Sequence, residues 1–62
     1  MSALKEMRER RGLTQASLAE KSGVNLRVIQ AYEQEYKDIK RAQAQTVIQL
    51  ADALRCDVRD II

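Results

Sequence analysis

The stretch that decides the fold runs from Gly12 to Val24 and reads Gly-Leu-Thr-Gln-Ala-Ser-Leu-Ala-Glu-Lys-Ser-Gly-Val. Thr14 stands immediately before a run of helix-forming residues, where its hydroxyl can accept a hydrogen bond from the helix N-terminus, so we interpret it as an N-cap. Gly23 ends the run, because glycine adopts the positive φ that closes a helix at no steric cost. Ala19 has a side chain small enough for another helix to approach closely. The stretch therefore predicts a short helix followed by a tight turn and a second helix.

Further helices are predicted on both sides of this stretch. Ser2 and Gly12 bracket a first helix, Asn25 is a good N-cap for the third, and Asp57 for a short last one. The polar segment Gln34–Arg41 is predicted to be a loop. The predicted helices span 2–11, 14–21, 25–34, 43–55 and 58–62, with no strand.

Apolar residues recur along these segments at intervals of three and four, as on the buried face of a helix. A chain of 62 residues forms one domain and buries a small core, so every core position matters. The predicted core comprises Leu4, Met7, Leu13, Leu18, Ala19, Val24, Ile29, Tyr32, Val47, Leu50, Ala51, Leu54, Val58 and Ile61.

Two short helices that meet across a glycine turn are typical of the helix-turn-helix motif. The stretch 12–24, together with Arg8, Ile29, Tyr32-Glu33 and the segment 50–54, resembles the phage-repressor and Cro-like (lambda-repressor-like, XRE-type) family of DNA-binding proteins. The resemblance covers nearly the whole chain. It implies an all-α, compact five-helix domain over residues 1–62, with the helix-turn-helix at its centre.

The same resemblance assigns roles to individual positions. Gln15 matches a residue that contacts a DNA phosphate, and the helix 25–34 matches the recognition helix that reads the major groove. Arg8 and Glu33 match two residues that form an ion pair between the first and third helices. The implied function is a sequence-specific transcriptional regulator that binds double-stranded DNA, most simply a repressor.

Several positions depart from the family pattern. Gln34 and Glu35 occupy the place where family members usually have a glycine after the third helix, and Arg55 replaces the glycine usual after the fourth. The loop before the fourth helix is a few residues longer than in the compact phage proteins. Leu26 is unusual at an early recognition position, where polar residues are commoner. These departures concern loop geometry and sequence preference rather than the fold.

Four residues at the start of the third helix are candidates for contacts with base edges: Asn25, Leu26, Arg27 and Gln30. The fork of Arg27 suits guanine O6 and N7, and the amide of Gln30 suits adenine N6 and N7. Phosphate contact or simple solvation of Arg27 is the alternative. Leu26 is equally compatible with a thymine methyl contact and with helix packing.

A run of basic residues, Lys37, Lys40 and Arg41, lies in the loop after the recognition helix. This loop is expected to pass near the DNA backbone, so we interpret the run as phosphate contacts, with a solvated surface as the alternative. Residues 1–41 hold nine Lys/Arg against six Asp/Glu, whereas residues 42–62 hold two Arg against three Asp. The positive charge of the chain is therefore concentrated in the part that contains the motif.

Composition narrows the function classes. The chain has no histidine and one cysteine, Cys56, so histidine-based catalysis, an internal disulfide and a zinc site are not expected. No arrangement of nucleophile and base indicates an enzyme, and no cofactor, metal or small-molecule substrate is expected. No apolar run approaches membrane-spanning length and no signal-peptide pattern follows Met1, so a cytoplasmic protein is expected. Cys56 is expected to be a small buried hydrophobe rather than a redox switch.

Two functions remain open at this point. The first is the DNA-binding regulator, which is expected to bind as a homodimer, because one recognition helix reads too short a half-site. Its C-terminal helix, which carries Ile61 and Ile62, is expected to supply part of the dimer contact. The second is a protein-interaction module of the same fold, such as an antitoxin or an accessory factor of a mobile element.

Overall fold

The structure is a computed structural model that describes residues 2–62. These residues form four α-helices and two single 3₁₀ turns. The all-α prediction is confirmed for these residues, which contain no strand. Met1, which the predicted domain includes, lies outside the described residues. The elements are α1 (Ala3–Arg10), α2 (Gln15–Ser22), α3 (Leu26–Glu33), a 3₁₀ turn (Ile39–Arg41), α4 (Ala44–Leu54) and a second 3₁₀ turn (Val58–Asp60).

The first three helices begin where their caps predict. The side chain of Ser2 accepts a hydrogen bond from the backbone N–H of Lys5 at 3.2 Å. Thr14 accepts one from Ser17 at 3.0 Å. Each cap satisfies a backbone donor that the helix itself leaves unpaired, which fixes the helix start at that residue.

The turn between α2 and α3 has the predicted glycine geometry. Gly23 has φ +75°, and its N–H donates to the carbonyl of Ala19 at 2.9 Å. The hydroxyl of the buried Ser22 accepts from the N–H of Val24 at 3.1 Å, which satisfies a polar group inside the turn. The chain therefore reverses direction tightly enough for α3 to pack against α2.

The hydrophobic core lies where α2 meets α4 and α3. Nine predicted core residues are buried, while Met7, Leu13, Ala19 and Tyr32 are half-buried and pack against them. The buried residues are Leu4, Leu18, Val24, Ile29, Val47, Leu50, Ala51, Leu54 and Ile61. The periodic apolar face thus predicted every core position except Val58.

The predicted fifth helix, 58–62, is wrong. The segment forms one 3₁₀ turn, Val58–Asp60, and leaves helical geometry at Ile61, which has φ −120°. Only Ile61 points into the core, whereas Val58 is 37% exposed, so its assignment to the core is also wrong. A single 3₁₀ turn is too short to present an amphipathic face, and the side chain at its end does the packing.

A non-glycine residue occupies the left-handed position after α3. Glu35 has φ +62°. The N–H of Tyr36 donates to the carbonyl of Ala31 at 2.8 Å, and that of Glu35 to Tyr32 at 3.1 Å. This pattern of backbone bonds closes a helix C-terminus and normally selects glycine. Glu35 therefore takes the backbone conformation that glycine usually has at this position, and the helix ends in the same kind of turn.

Arg55 plays the same part after α4, with φ +53°. The end of this helix is further held by Arg11, whose Nε donates to the carbonyl of Leu54 at 2.7 Å and whose Nη2 donates to that of Arg55 at 3.3 Å. A guanidinium at a helix C-terminus donates hydrogen bonds to carbonyls that the helix leaves unpaired, and its positive charge interacts favourably with the negative end of the helix dipole. Arg11 is therefore occupied in holding α1 to α4.

Replacement of Arg55 by glycine is expected to stabilise the domain. A side chain at φ +53° is strained by about 1 kcal/mol or more, and glycine removes that strain while the backbone carbonyl that Arg11 uses stays in place. We expect Arg55→Gly to raise the free energy of unfolding by about 1 kcal/mol over Arg55→Ala, measured by urea denaturation. The alanine variant is the control, since it removes the same side chain and keeps the strain. Equal stability of the two variants would show that the position is not strained.

Candidate nucleic-acid interface

A buried ion pair joins α1 to the end of α3, as the resemblance implied. Arg8 Nε lies 2.7 Å from Glu33 Oε2, and Arg8 Nη2 donates to Glu33 Oε1 at 3.0 Å. The side chains are 11% and 2% exposed. The hydrogen bond to Glu33 raises the pKa of Arg8 above its ordinary value, although burial acts in the opposite direction. This two-point contact fixes the position of the C-terminal end of α3 relative to α1.

The third nitrogen of Arg8, Nη1, donates to the backbone carbonyl of Leu13 at 2.7 Å. Leu13 lies immediately before the N-cap of α2, so the same guanidinium contacts both α3 and the segment that leads into α2. The ion pair therefore positions the two helices of the motif relative to each other.

Gln15, the first residue of α2, contacts this ion pair. Its Nε2 donates to Glu33 Oε1 at 3.0 Å, and its Oε1 accepts a long hydrogen bond, 3.4 Å, from Nε2 of Gln30. The structure thus brings two of the predicted site residues, Gln15 and Gln30, into direct contact. The side chain of Gln15 points towards α3. In the first turn of α2 the N–H of Ser17 donates to the Thr14 cap, so Gln15 and Ala16 supply the backbone donors for an anion at this helix start.

The start of α3 presents Asn25, Leu26 and Arg27 as exposed neighbours. Oδ1 of Asn25 accepts from the N–H of Arg27 at 2.8 Å, so the N-cap role of Asn25 is confirmed. Leu26 is 37% exposed, which favours an outward-facing side chain over core packing. One helical turn later, Gln30 is half-buried against Gln15.

The basic run lies in the loop that leaves α3. Lys37, Lys40 and Arg41 are all exposed. The loop is fastened to α3 by a backbone bond from the N–H of Lys37 to the carbonyl of Ala31, at 3.3 Å. Asp38 caps the first 3₁₀ turn by accepting from the N–H of Lys40 at 3.0 Å, so part of the predicted loop is ordered into a turn. The three basic side chains therefore lie on a loop that is attached to α3 and ordered in part by a capped turn.

Two features of the site were missed in the sequence. Tyr36, which lies three residues after the end of α3, is 82% exposed, and its place in the polar segment 34–41 could have signalled this. The contact of Glu33 with Gln15 joins residues 18 positions apart and has no local sequence signal.

Residues 2–62 contain no group of three or more His, Cys, Asp or Glu side chains that could hold a metal ion. None of the helices described in this part of the chain combines the length and the apolar composition that a membrane span requires. Cys56 is a half-buried free thiol rather than a fully buried one, and burial raises its pKa, which lowers its reactivity at neutral pH.

Comparison with known families agrees with this geometry. A helix-turn-helix family model matches residues 4–61, which is nearly the whole chain. The chain belongs to the XRE-type helix-turn-helix family. As a member of this DNA-binding family, which is typically non-enzymatic, it carries the motif on α2 and α3. No curated protein and no solved structure matches the chain.

Removal of one partner of the buried ion pair is expected to cost more than removal of both. Arg8→Met leaves the Glu33 carboxylate buried without its counter-charge, which costs about 3–5 kcal/mol. In Arg8→Met/Glu33→Met both charges are absent, so we expect the double variant to unfold at a higher urea concentration than Arg8→Met alone. A double variant that is less stable than Arg8→Met would show that the unpaired carboxylate is not the source of the loss.

Proposed function

We propose that this protein is a sequence-specific transcriptional regulator that binds double-stranded DNA and acts as a repressor. The observation that carries the proposal is the surface formed by the start of α3 and the N-terminus of α2, where Arg27 is exposed beside the bonded pair of Gln15 and Gln30. An α-helix fits the major groove, and its early residues reach base edges. Repression needs only that the protein occupy a promoter.

Three side chains of α3 would read bases. The guanidinium of Arg27 donates to guanine O6 and N7, and the amide of Gln30 pairs with adenine N6 and N7. Leu26, 37% exposed, packs on a thymine methyl group. Asn25 stands at the helix start, where its free amide nitrogen can donate to a base or to the adjacent phosphate.

The remaining contacts would be to phosphates and would position the domain without reading sequence. The first-turn amides of α2 at Gln15 bind one phosphate, as helix N-termini bind anions. The exposed Lys37, Lys40 and Arg41 follow the backbone on the other side of α3. Each phosphate that a basic side chain neutralises releases condensed counterions, so affinity would fall as salt rises.

Two copies of the chain would bind one operator as a homodimer, because a single recognition helix offers few base contacts against a genome of competing sites. Ile61 is buried in the core of its own domain, so it cannot take part in the predicted dimer contact. Ile62 and Val58, 44% and 37% exposed, keep the C-terminal segment as a candidate for that contact.

A protein-interaction role of the same fold, as an antitoxin or accessory factor, is the second candidate. The exposed apolar side chains of Ile48 on α4 and of Tyr36 favour it. A salt titration separates the two functions, because binding through phosphates weakens steeply with salt and an apolar protein contact does not.

Selection of bound sequences from random duplex DNA, followed by two variants, tests the proposal. We expect Arg27→Ala to cost about 1–3 kcal/mol and to relax the preference at one base step. Lys40→Ala should weaken binding evenly across sequences and lower the salt slope by about one. Failure of the wild-type protein to enrich any sequence would overturn the proposal, and equal losses on all sequences from both variants would make Arg27 a phosphate contact.

Dimeric binding predicts two half-sites about 34 Å apart on one face of the duplex. The measurement is a titration of the protein onto the selected site and onto an isolated half-site. The full site should bind two chains with much higher affinity. One chain per duplex and equal affinity for both DNAs would exclude the dimer.

A further inference from the structure

The hydrogen-bond chain that begins at the buried ion pair has a fixed direction. Gln30 on α3 donates to Gln15, Gln15 donates to Glu33, and Arg8 donates to the same carboxylate. An ionised carboxylate only accepts hydrogen bonds, and both oxygens of Glu33 already accept from Arg8. The group that approaches Glu33 from α2 must therefore be a donor.

This requirement fixes the orientation of the Gln15 amide. The oxygen and nitrogen of a glutamine amide are nearly equal in size, so only hydrogen bonding decides which one faces a neighbour. Gln15 must turn Nε2 towards Glu33, and its acceptor Oε1 then faces Gln30. In the flipped orientation, the amide oxygen of Gln15 would face the carboxylate of Glu33. The two oxygens would repel each other, and little solvent would screen them because the Glu33 side chain is only 2% exposed.

The orientation of Gln15 in turn decides what Gln30 can offer. Because Oε1 of Gln15 accepts only, Gln30 must give it one N–H of Nε2. When Gln15 takes the N–H that is anti to the carbonyl oxygen of Gln30, the remaining N–H and that oxygen lie on the same edge of the amide. Adenine presents one acceptor, N7, and one donor, N6, in the major groove, which matches this edge. Guanine presents two acceptors, N7 and O6, which would need both N–H groups.

We propose that Glu33 is a positioning residue that sets the donor–acceptor direction of the Gln30 amide and so selects adenine over guanine at one base pair. Glu33 itself touches no base, since its side chain is buried. The inference rests on the proposed function, in that it assumes α3 lies in the major groove. It assigns part of the sequence preference to a residue outside the DNA-facing surface.

The test uses the selected duplex and competition between adenine and guanine at each position. Gln30→Ala first identifies the base pair that Gln30 reads. Gln15→Leu then breaks the chain and leaves the Arg8–Glu33 pair intact. One good bidentate contact corresponds to about 5- to 150-fold discrimination. We expect Gln15→Leu to remove most of it at that base pair and to leave the preference at the other positions unchanged.

Glu33→Gln tests the direction directly, because a neutral amide can donate and so releases the constraint on Gln15. We expect it to lower the same adenine preference, in measurements made well below its melting temperature. If this variant does not fold, Gln15→Leu alone decides the matter. Lys40→Ala is the matched control, since it should weaken binding without any change in the preference.

The outcomes separate the inference from the proposed function. Wild-type protein that enriches no sequence overturns both. Enrichment that Gln30→Ala changes at one position, but that Gln15→Leu leaves unchanged there, overturns the inference alone, as does a Gln30→Ala variant that changes no position. In the DNA-free protein, the side-chain amide NMR signal of Gln30 should shift in Gln15→Leu, and an unchanged signal would show that the chain of bonds does not form.

Discussion

The buried pair of Arg8 and Glu33 is the constraint on which the relative placement of α2 and α3, and with it the proposed DNA-binding surface, depends. The cost of desolvating both charges means that such a pair adds little net stability. Its geometry is nevertheless tightly constrained, because a buried charge without its partner is strongly destabilising. One guanidinium contacts Glu33 at the end of α3 and the carbonyl of Leu13 before α2, and Glu33 also accepts from Gln15. The relative placement of the two motif helices is therefore tied to a polar cluster, and the hydrophobic core beneath it supplies most of the stability.

Much of the fold could be predicted from the sequence, because its signals are local. Thr14 and Asn25 cap the helices they precede, and Gly23 makes the turn. The prediction failed at Val58, since one apolar residue in a three-residue turn gives no periodicity from which to infer burial. Glu35 and Arg55 were recognised as departures from glycine, but their positive φ is set by the backbone bonds that close α3 and α4, which no single residue type reveals.

The candidate site was predicted less completely. The start of α3 was located correctly by its cap, and its residues Asn25, Leu26 and Arg27 are exposed. The ion pair came from the family resemblance, since a contact between residues 25 positions apart leaves no local pattern. Long-range hydrogen bonds such as that between Gln15 and Glu33 depend on the packing of helices, so their direction became visible only in the folded chain.

We propose that α2 and α3 together present the face that meets DNA. Backbone amide chemical shifts, followed while duplex DNA is added at low salt, test it most directly. The claim predicts that the largest changes fall on the first turns of α2 and α3 and on the loop 36–41, and that they disappear as salt is raised. Changes confined to α4 and the segment 58–62, or no change at all, would contradict it.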